Sequence, residues 1–176
     1  MNRRRFLTAA GGLGLTGASA WVLRNGLGSD ADSAFPMQVD TMDAPGSEAG
    51  RARVPASDTV TILDLFATWC SPCVEQMDAL EAVRQSYGDD VTTISVTNER
   101  LGGSLTKSDV REWWRDNDGA WTLGLDPDSE LMSALGAGGI PHVAVFDADG
   151  SIRWQETSLS DAETIGERVD AALDDA

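Results

Sequence analysis

The 176-residue sequence contains a single lysine, Lys107, a single histidine, His142, and only two cysteines. The scarcity of basic residues argues against nucleic acid as a partner, because proteins that bind it neutralise phosphates with a basic face. Two cysteines and one histidine are also too few for a structural zinc site, which takes four such ligands. We therefore expect a function without nucleic acid, bound metal or other cofactor.

Acidic residues dominate the charged part of the sequence. The 29 aspartates and glutamates outnumber the 13 lysines and arginines, which gives a net charge of −16. An acidic, lysine-poor surface stays hydrated in concentrated salt, where the repulsion between like charges is screened. The composition is therefore typical of a halophile's protein.

Residues 1–28 are expected to be a leader and not part of a folded domain. Residues 3–7 read RRRFL, which resembles a twin-arginine export signal, and residues 18–20 (ASA) offer a cleavage site. Residues 6–23 are also 18 consecutive residues without a charge, the lower limit for a membrane-spanning helix. An uncleaved membrane anchor is therefore the alternative to a cleaved signal. In both cases we expect an exported protein at the extracytoplasmic face of the cell membrane.

Residues 29–35 are interpreted as a linker and residues 36–176 as one folded domain. Strand patterns occur at 37–42, 51–54, 59–66, 91–97, 121–125, 142–146 and 152–156, and helix patterns at 74–87, 106–117, 130–135 and 160–173. The alternating pattern of the first strand is typical of an edge strand. Mixed strands and covering helices predict an α/β fold with a central mixed sheet and an N-terminal β-hairpin extension.

Both cysteines belong to the motif Cys70-Ser71-Pro72-Cys73, which lies between a buried strand and an amphipathic segment. A strand that ends in C-x-x-C and opens a helix is the arrangement of a thiol–disulfide redox site. The first cysteine lies where first-turn amides and the helix dipole stabilise a thiolate. We therefore interpret Cys70 as the nucleophile and Cys73 as the resolving thiol.

Several alternatives for the cysteine pair remain open. A purely structural disulfide is disfavoured, because closing a four-residue loop gives roughly 2 kcal/mol against about 4.7 kcal/mol for about 100 residues. The chain could be a copper metallochaperone that uses Cys70, Cys73 and His142. It could also be a thiol peroxidase with Cys70 as the peroxidatic residue, or a non-catalytic interaction domain.

The charged residue Asp64 interrupts the apolar strand at 59–66, six residues before Cys70. Burial of an unpaired carboxylate is costly and raises its pKa. We expect Asp64 to have a raised pKa and apolar strand residues as neighbours, with Cys73 beyond the end of the strand.

Residues 35–175 resemble the thioredoxin superfamily, most closely its exported TlpA-like branch of thiol–disulfide oxidoreductases. Residues 65–73 (LFATWCSPC) are similar to the family's strand and W-C-x-P-C site, and Ile140-Pro141 to its cis-proline loop. Residues 146–150 are similar to the turn after the next strand, and residues 35–46 to the branch's N-terminal hairpin. Together these motifs predict a thioredoxin-like fold.

Two residues depart from the pattern of this branch. Asp64 stands at the position of the buried acid of thioredoxins proper, where TlpA-like proteins often carry asparagine. His142 follows the cis-proline, where the family usually has an apolar or small polar residue. His142 could be a ligand or could tune the thiolate, but we interpret it as a strand residue without a chemical role.

The resemblance implies an enzyme, a monomeric protein-disulfide oxidoreductase that acts on exported proteins with disulfides or thiols. We expect it to be a reductant, supplied by a membrane or extracytoplasmic electron donor. Cys70 would attack the substrate disulfide, and Cys73 would then attack Cys70 with Asp64 as the proton acceptor.

The remaining site residues are expected to bind substrate or to shape the site. The substrate backbone would pair as an added strand beside Ile140 and Pro141. Ser71 and Pro72 shape the entry to the helix, since proline is tolerated in a first turn. Trp69 either shields the site from water and contacts substrate, or packs beneath the loop.

Overall fold

The computed structural model describes residues 34–174. The expected leader at 1–28 and most of the expected linker at 29–35 lie outside the described residues. The twin-arginine signal and the membrane anchor therefore stay predictions. Within the described part of the chain, no helix has both the length and the apolar character needed to cross a membrane.

Residues 34–174 form seven strands and four α-helices in the order that the sequence patterns predict. The strands are β1 (Met37–Thr41), β2 (Gly50–Val54), β3 (Val60–Phe66), β4 (Val91–Thr97), β5 (Thr122–Leu125), β6 (His142–Phe146) and β7 (Ile152–Glu156). The helices are α1 (Ser71–Tyr87), α2 (Lys107–Asp116), α3 (Glu130–Leu135) and α4 (Ala162–Asp174). The main difference from prediction is that α1 begins three residues earlier, inside the cysteine motif.

All seven strands belong to one mixed sheet in the order β2-β1-β5-β4-β3-β6-β7. The central strands β3, β4 and β5 are parallel, and β6 and β7 continue the sheet in antiparallel pairing. The hairpin of β1 and β2 joins the other side, because β1 pairs with β5 at Asp40 and Thr41. The sequence prediction of β1 as an edge strand was therefore wrong. Its alternation arises because Val39 faces the core while its two neighbours face solvent.

Apolar cores cover both faces of the sheet. Because side chains alternate along a strand, Ile62 and Phe66 of β3 pack on one face, whereas Leu63 and Leu65 pack on the other. The first face is covered by α1, α2 and α4 through Met77, Leu80, Val83, Val110, Trp114, Ile165 and Val169. The second face is covered by α3 through Leu131 and Leu135, and Val39 and Val54 of the hairpin belong to the same core. We name these the α1 face and the α3 face.

The position of α1 follows from its own sequence. Cys70 is the N-cap residue, in an extended conformation, and Pro72 lies in the first turn, where the N–H that it lacks would have no helical partner. The helix ends at Gly88, whose φ of 55° lies in the left-handed region that glycine adopts without steric cost. Its buried residues are Cys73, Gln76, Met77, Leu80 and Val83, which recur every three or four residues along one side of the helix, with Gln76 and Met77 adjacent. Cys70 thus lies at the N-terminus of the helix, and Cys73 lies on its buried side.

Candidate active site

A disulfide joins Cys70 and Cys73 at the N-terminus of α1. The Cys73 N–H donates to the Cys70 carbonyl at 3.1 Å, and the Cys70 N–H donates to the Ala67 carbonyl at 3.0 Å. These bonds hold the motif between the end of β3 and the first turn of the helix. Cys70 is 5% exposed and Cys73 only 1% exposed. Cys70 is thus the less buried of the two residues, as expected for a nucleophile.

The carboxyl group of Asp64 is buried beneath this region of the sheet, with 1% of the residue exposed. Its place in β3 gives it the same orientation as Ile62 and Phe66, toward the α1 face where Cys73 also lies. Ser95 lies beside it in β4, and the Ser95 hydroxyl donates to Asp64 Oδ2 at 2.8 Å. Asp64 Oδ1 is buried without a hydrogen-bond partner among the described residues.

Burial raises the pKa of Asp64 to about 7, and the hydrogen bond from Ser95 opposes that rise. The cause is the loss of hydration of the charged form. The predicted rise is therefore confirmed. The expectation of purely apolar neighbours was incomplete, because Ser95 binds one of the two oxygens. A carboxyl group with this pKa can both accept and release a proton near neutral pH.

The peptide bond between Ile140 and Pro141 is cis, and Pro141 leads directly into β6. In the sheet, His142 lies opposite Leu65 near the end of β3. This register brings Pro141 close to the point where the chain leaves the sheet and enters the loop before Cys70. The cis bond agrees with the resemblance of Ile140-Pro141 to a cis-proline loop.

The imidazole of His142 is buried on the other side of the sheet. Alternation along β6 places its side chain on the α3 face with Ala144, opposite to the face of Cys73. Nδ1 lies 2.7 Å from the Thr157 hydroxyl, and Nε2 lies 3.2 Å from Gln155 Oε1. Because an amide oxygen only accepts, Nε2 carries the proton and Nδ1 accepts from Thr157.

Burial lowers the pKa of His142, and the hydrogen bond to Gln155 opposes that change. Across residues 34–174, no three or more His, Cys, Asp or Glu side chains come together in a group that could hold a metal ion. His142 therefore does not join Cys70 and Cys73. The copper-chaperone alternative loses its third ligand, which leaves His142 as a strand residue with two hydrogen-bond partners.

Residues 30–172 match the Redoxin family. The chain belongs to the Redoxin family. A similar protein is the thiol:disulfide interchange protein CycY of Rhizobium leguminosarum bv. viciae, 23% identical over 140 residues, which cover 76% of this chain and 72% of CycY.

Solved structures show the same fold for this Redoxin-family chain. StoA from Bacillus subtilis superposes with a TM-score of 0.61 at 22% identity, covering 77% of this chain and 98% of StoA. The exposed lipoprotein thioredoxin Etrx1 from Streptococcus pneumoniae strain TIGR4 gives a TM-score of 0.65 at 18% identity, covering 78% of this chain and 99% of Etrx1. With its Cys70–Cys73 disulfide, the chain is a TlpA-like thiol–disulfide oxidoreductase of the thioredoxin superfamily.

Two exposed apolar side chains flank the disulfide in the chain, Trp69 directly before Cys70 and Val74 directly after Cys73. Trp69 is 73% exposed and Val74 is 37% exposed, so the interpretation of Trp69 as a residue packed beneath the loop was wrong. Leu159, 44% exposed, is the third exposed large hydrophobic residue of the described chain. It lies near α1, because its neighbour Ser160 exchanges two hydrogen bonds with Gln76. We name these three side chains the apolar rim.

Glu99 is a site residue that the sequence analysis missed. Its carboxylate accepts from the Thr68 N–H at 2.7 Å and from the Thr68 hydroxyl at 2.9 Å. It also accepts from the Thr97 hydroxyl at 3.1 Å. These bonds tie the loop before Cys70 to the end of β4. The available signal was an acidic residue two positions after the end of a strand parallel to β3, because such strands end at the same edge of a sheet.

Proposed function

We propose that this oxidoreductase reduces disulfides in exported proteins at the extracytoplasmic face of the membrane. Its own disulfide would be reduced again by a membrane or extracytoplasmic electron donor. The observation that carries the proposal is that Cys70 is less buried than Cys73, with the Asp64 carboxyl on the same face of the sheet. The name of Etrx1 as an exposed lipoprotein thioredoxin supports the location, and the name of CycY as a thiol:disulfide interchange protein supports the reaction.

The reaction begins with the reduced enzyme. The Cys70 thiolate attacks one sulfur of the substrate disulfide, a Cys70–substrate disulfide forms, and the second substrate sulfur leaves as a thiolate. Cys73 then gives its proton to Asp64 and attacks the Cys70 sulfur. The Cys70–Cys73 disulfide forms as the first substrate sulfur leaves. Two electrons have then passed to the substrate, whose thiolates take up protons.

The buried carboxyl favours a reductant over an oxidant. A strong oxidant of this class is one whose reduced, thiolate-containing form is especially stable. An ionised Asp64 on the same face repels a nearby thiolate, because the effective dielectric of the interior is low. The reduced form is therefore less stable relative to the disulfide, which corresponds to a more negative reduction potential.

Substrate would bind across the apolar rim and the cis-proline loop. Trp69 supplies a large apolar contact area next to Cys70, and a tryptophan ring gains by removal from water. Ile140 and Pro141 would offer backbone to an extended substrate segment, while Ser71 and Pro72 fix the first turn that presents the sulfur. One chain contains all of these groups, so we propose that the monomer is active.

The reduction potential of the Cys70–Cys73 pair tests the direction of electron flow. We expect a value of about −270 mV, like that of thioredoxin. Cys70→Ser should lose the reduction of insulin disulfides. A potential near about −120 mV would instead identify an oxidant.

Alkylation of the reduced protein tests the roles of the two cysteines. Iodoacetamide near neutral pH should modify Cys70 first, because Cys70 caps the helix and is the more exposed of the two. Preferential modification of Cys73 would reverse the assignment.

The location can be tested in the cell. Replacement of both Arg3 and Arg4 by lysine should keep the protein in the cytoplasm if the leader is a twin-arginine signal. Unchanged export of that variant would exclude this signal and leave the other parts of the proposal standing.

A further inference from the structure

We propose that Ser95 and Trp121 are positioning residues for Asp64, forming a hydrogen-bond chain that binds Oδ2 and leaves Oδ1 as the atom that takes the proton. The chain runs from the Trp121 indole through the Ser95 hydroxyl to the carboxylate. The inference rests on the proposed function for its catalytic meaning, but its effect on Asp64 can be measured without any turnover.

The direction of the chain is fixed by what each group can donate. The Trp121 Nε1–H is a donor only, and it lies 2.9 Å from Ser95 Oγ. Ser95 accepts this bond and has one hydroxyl proton left, which it donates to Asp64 Oδ2 at 2.8 Å. Successive hydrogen bonds of this kind polarise one another in a low-dielectric interior. The chain therefore favours the ionised carboxylate that burial opposes.

The donor at the start of the chain is held on two sides. The Trp121 ring packs edge-on against Trp114 of α2, with centroids 5.0 Å apart. On α1, the Arg84 guanidinium carbon lies 5.0 Å from the Trp121 centroid, and Arg84 pairs with Glu81 at 2.8 Å. Because both helices restrain the indole, its N–H stays directed at Ser95. A donor that cannot move away keeps the serine hydroxyl directed at Asp64.

This arrangement separates the two oxygens of Asp64 by task. Oδ2 keeps its hydrogen bond from Ser95 whether the carboxyl is ionised or neutral, because a carbonyl oxygen also accepts. Oδ1 has no partner within the described chain, so protonation there breaks no existing bond. The carboxyl group can thus gain and lose a proton without rotating.

Few ionisable groups share the surroundings of Asp64. Among the described residues, those in or against the core of the α1 face are Cys70, Cys73 and Tyr87, and the Arg84–Glu81 pair lies beyond the Trp121 ring. The adjacent sheet positions are Ser95 and Val143, which do not ionise. In the oxidised protein the two cysteines do not titrate, so the titration of Asp64 is free of coupling to a thiol.

The test is a carbon-13 NMR titration of the Asp64 carboxyl in the oxidised full-length chain, with the signal assigned by its loss in Asp64→Asn. Ser95→Ala removes the bond to the charged form and should raise the pKa of Asp64 by about 1–2 pH units. Trp121→Phe should raise it less, and should add nothing in the Ser95→Ala background, because Trp121 acts through Ser95.

A matched control is present in the same core. Thr93 lies two residues before Ser95 on β4, and its buried hydroxyl has no hydrogen-bond partner in the described region, so Thr93→Val should leave the pKa of Asp64 unchanged. If Trp121→Phe fails to fold, Ser95→Ala against Thr93→Val decides alone.

The proposal is overturned if Ser95→Ala leaves the pKa of Asp64 at the wild-type value. It is also overturned if Trp121→Phe raises that pKa by the same amount in the Ser95→Ala background as in the wild type. Activity gives a second readout. The acid limb of the pH–rate profile for disulfide exchange should move to higher pH in Ser95→Ala and stay in place in Thr93→Val. A shifted pKa with an unmoved profile would support the hydrogen-bond chain and overturn the role of Asp64 in the proposed function.

Discussion

Asp64 and His142 lie near the same end of the sheet but on opposite faces, and each is a buried ionisable side chain. Within residues 34–174, the Asp64 carboxyl has a hydrogen bond on one oxygen only, whereas both ring nitrogens of His142 have partners. Buried polar groups in proteins are normally satisfied, so the exception needs a reason. His142 is therefore a structural residue, whereas Asp64 has an oxygen that is free to take a proton. Asp64 also lies on the face of the redox sulfurs, and His142 does not.

Burial disfavours the charged form of both groups, but with opposite consequences near neutral pH. The pKa of Asp64 rises to about 7, so ionised and neutral forms coexist there. The pKa of His142 falls below its ordinary 6.5, so the ring stays neutral. Only Asp64 is poised to exchange a proton under these conditions.

The largest expected effect concerns the rate of disulfide exchange. Asp64→Asn should slow insulin-disulfide reduction at pH 7 by up to about 10²–10⁴-fold, because Cys73 loses its proton acceptor. His142→Gln should keep a rate close to wild type, since the ring lies on the other face. Equal rates for wild type and Asp64→Asn would show that the free oxygen of Asp64 has no catalytic use.

Asp64→Asn should make the folded protein more stable, although it slows the reaction. The folded state holds the Asp64 proton more tightly than the unfolded chain, so ionisation opposes folding. This cost is absent below pH 3.8, grows as the pH rises, and levels off above about 7. Urea unfolding of the oxidised protein at pH 8 should find Asp64→Asn more stable by about 1–3 kcal/mol. A less stable variant at that pH would mean that the carboxyl group is a satisfied structural acid.

His142 should show the reverse dependence on pH. Its folded pKa is lowered, so the folded state holds the proton less tightly than the unfolded chain. The wild type should therefore lose stability as the pH falls below 6.5, down to the folded pKa, and His142→Gln should lack this decline. At pH 8 the variant should be less stable by about 1–2 kcal/mol, because Thr157 and Gln155 lose partners. If the free energy of unfolding depends on pH in the same way for the wild type and His142→Gln, the lowered pKa of His142 is contradicted.

The smallest effect is expected at Glu99, because both oxygens of its side chain already accept hydrogen bonds. Glu99→Gln should lower the free energy of unfolding by about 0.5–1.5 kcal/mol, because an amide keeps only one accepting oxygen for the three bonds from Thr68 and Thr97. Its pH–rate profile should keep the position of the wild-type curve. Movement of the acid limb would give Glu99 a share in proton transfer that its satisfied geometry does not predict.

The sequence alone determined the element order, the redox motif and the anomaly of Asp64. Strand and helix periods are local, so short windows placed each strand and each α-helix of residues 34–174 to within a few residues. The spacing of Cys70 and Cys73 and the position of Pro72 act within a single helical turn. The expected burial of Asp64 followed from the apolar residues on both sides of it in the same strand.

The tertiary structure decided everything that depends on which distant segments become neighbours. Ser95 is 31 residues from Asp64, and Glu99 is 31 residues from Thr68, yet strand register places each pair in hydrogen-bond contact. Strand pairing also places β1 between β2 and β5 and not at the edge of the sheet. Register places His142 on the face opposite to the cysteines. Periodicity says which side of a strand is buried, but not which strand lies beside it or which side chain meets a buried carboxylate. Those partners follow from packing of the whole chain, because hydrogen bonds form only where the final geometry brings a donor within reach of an acceptor.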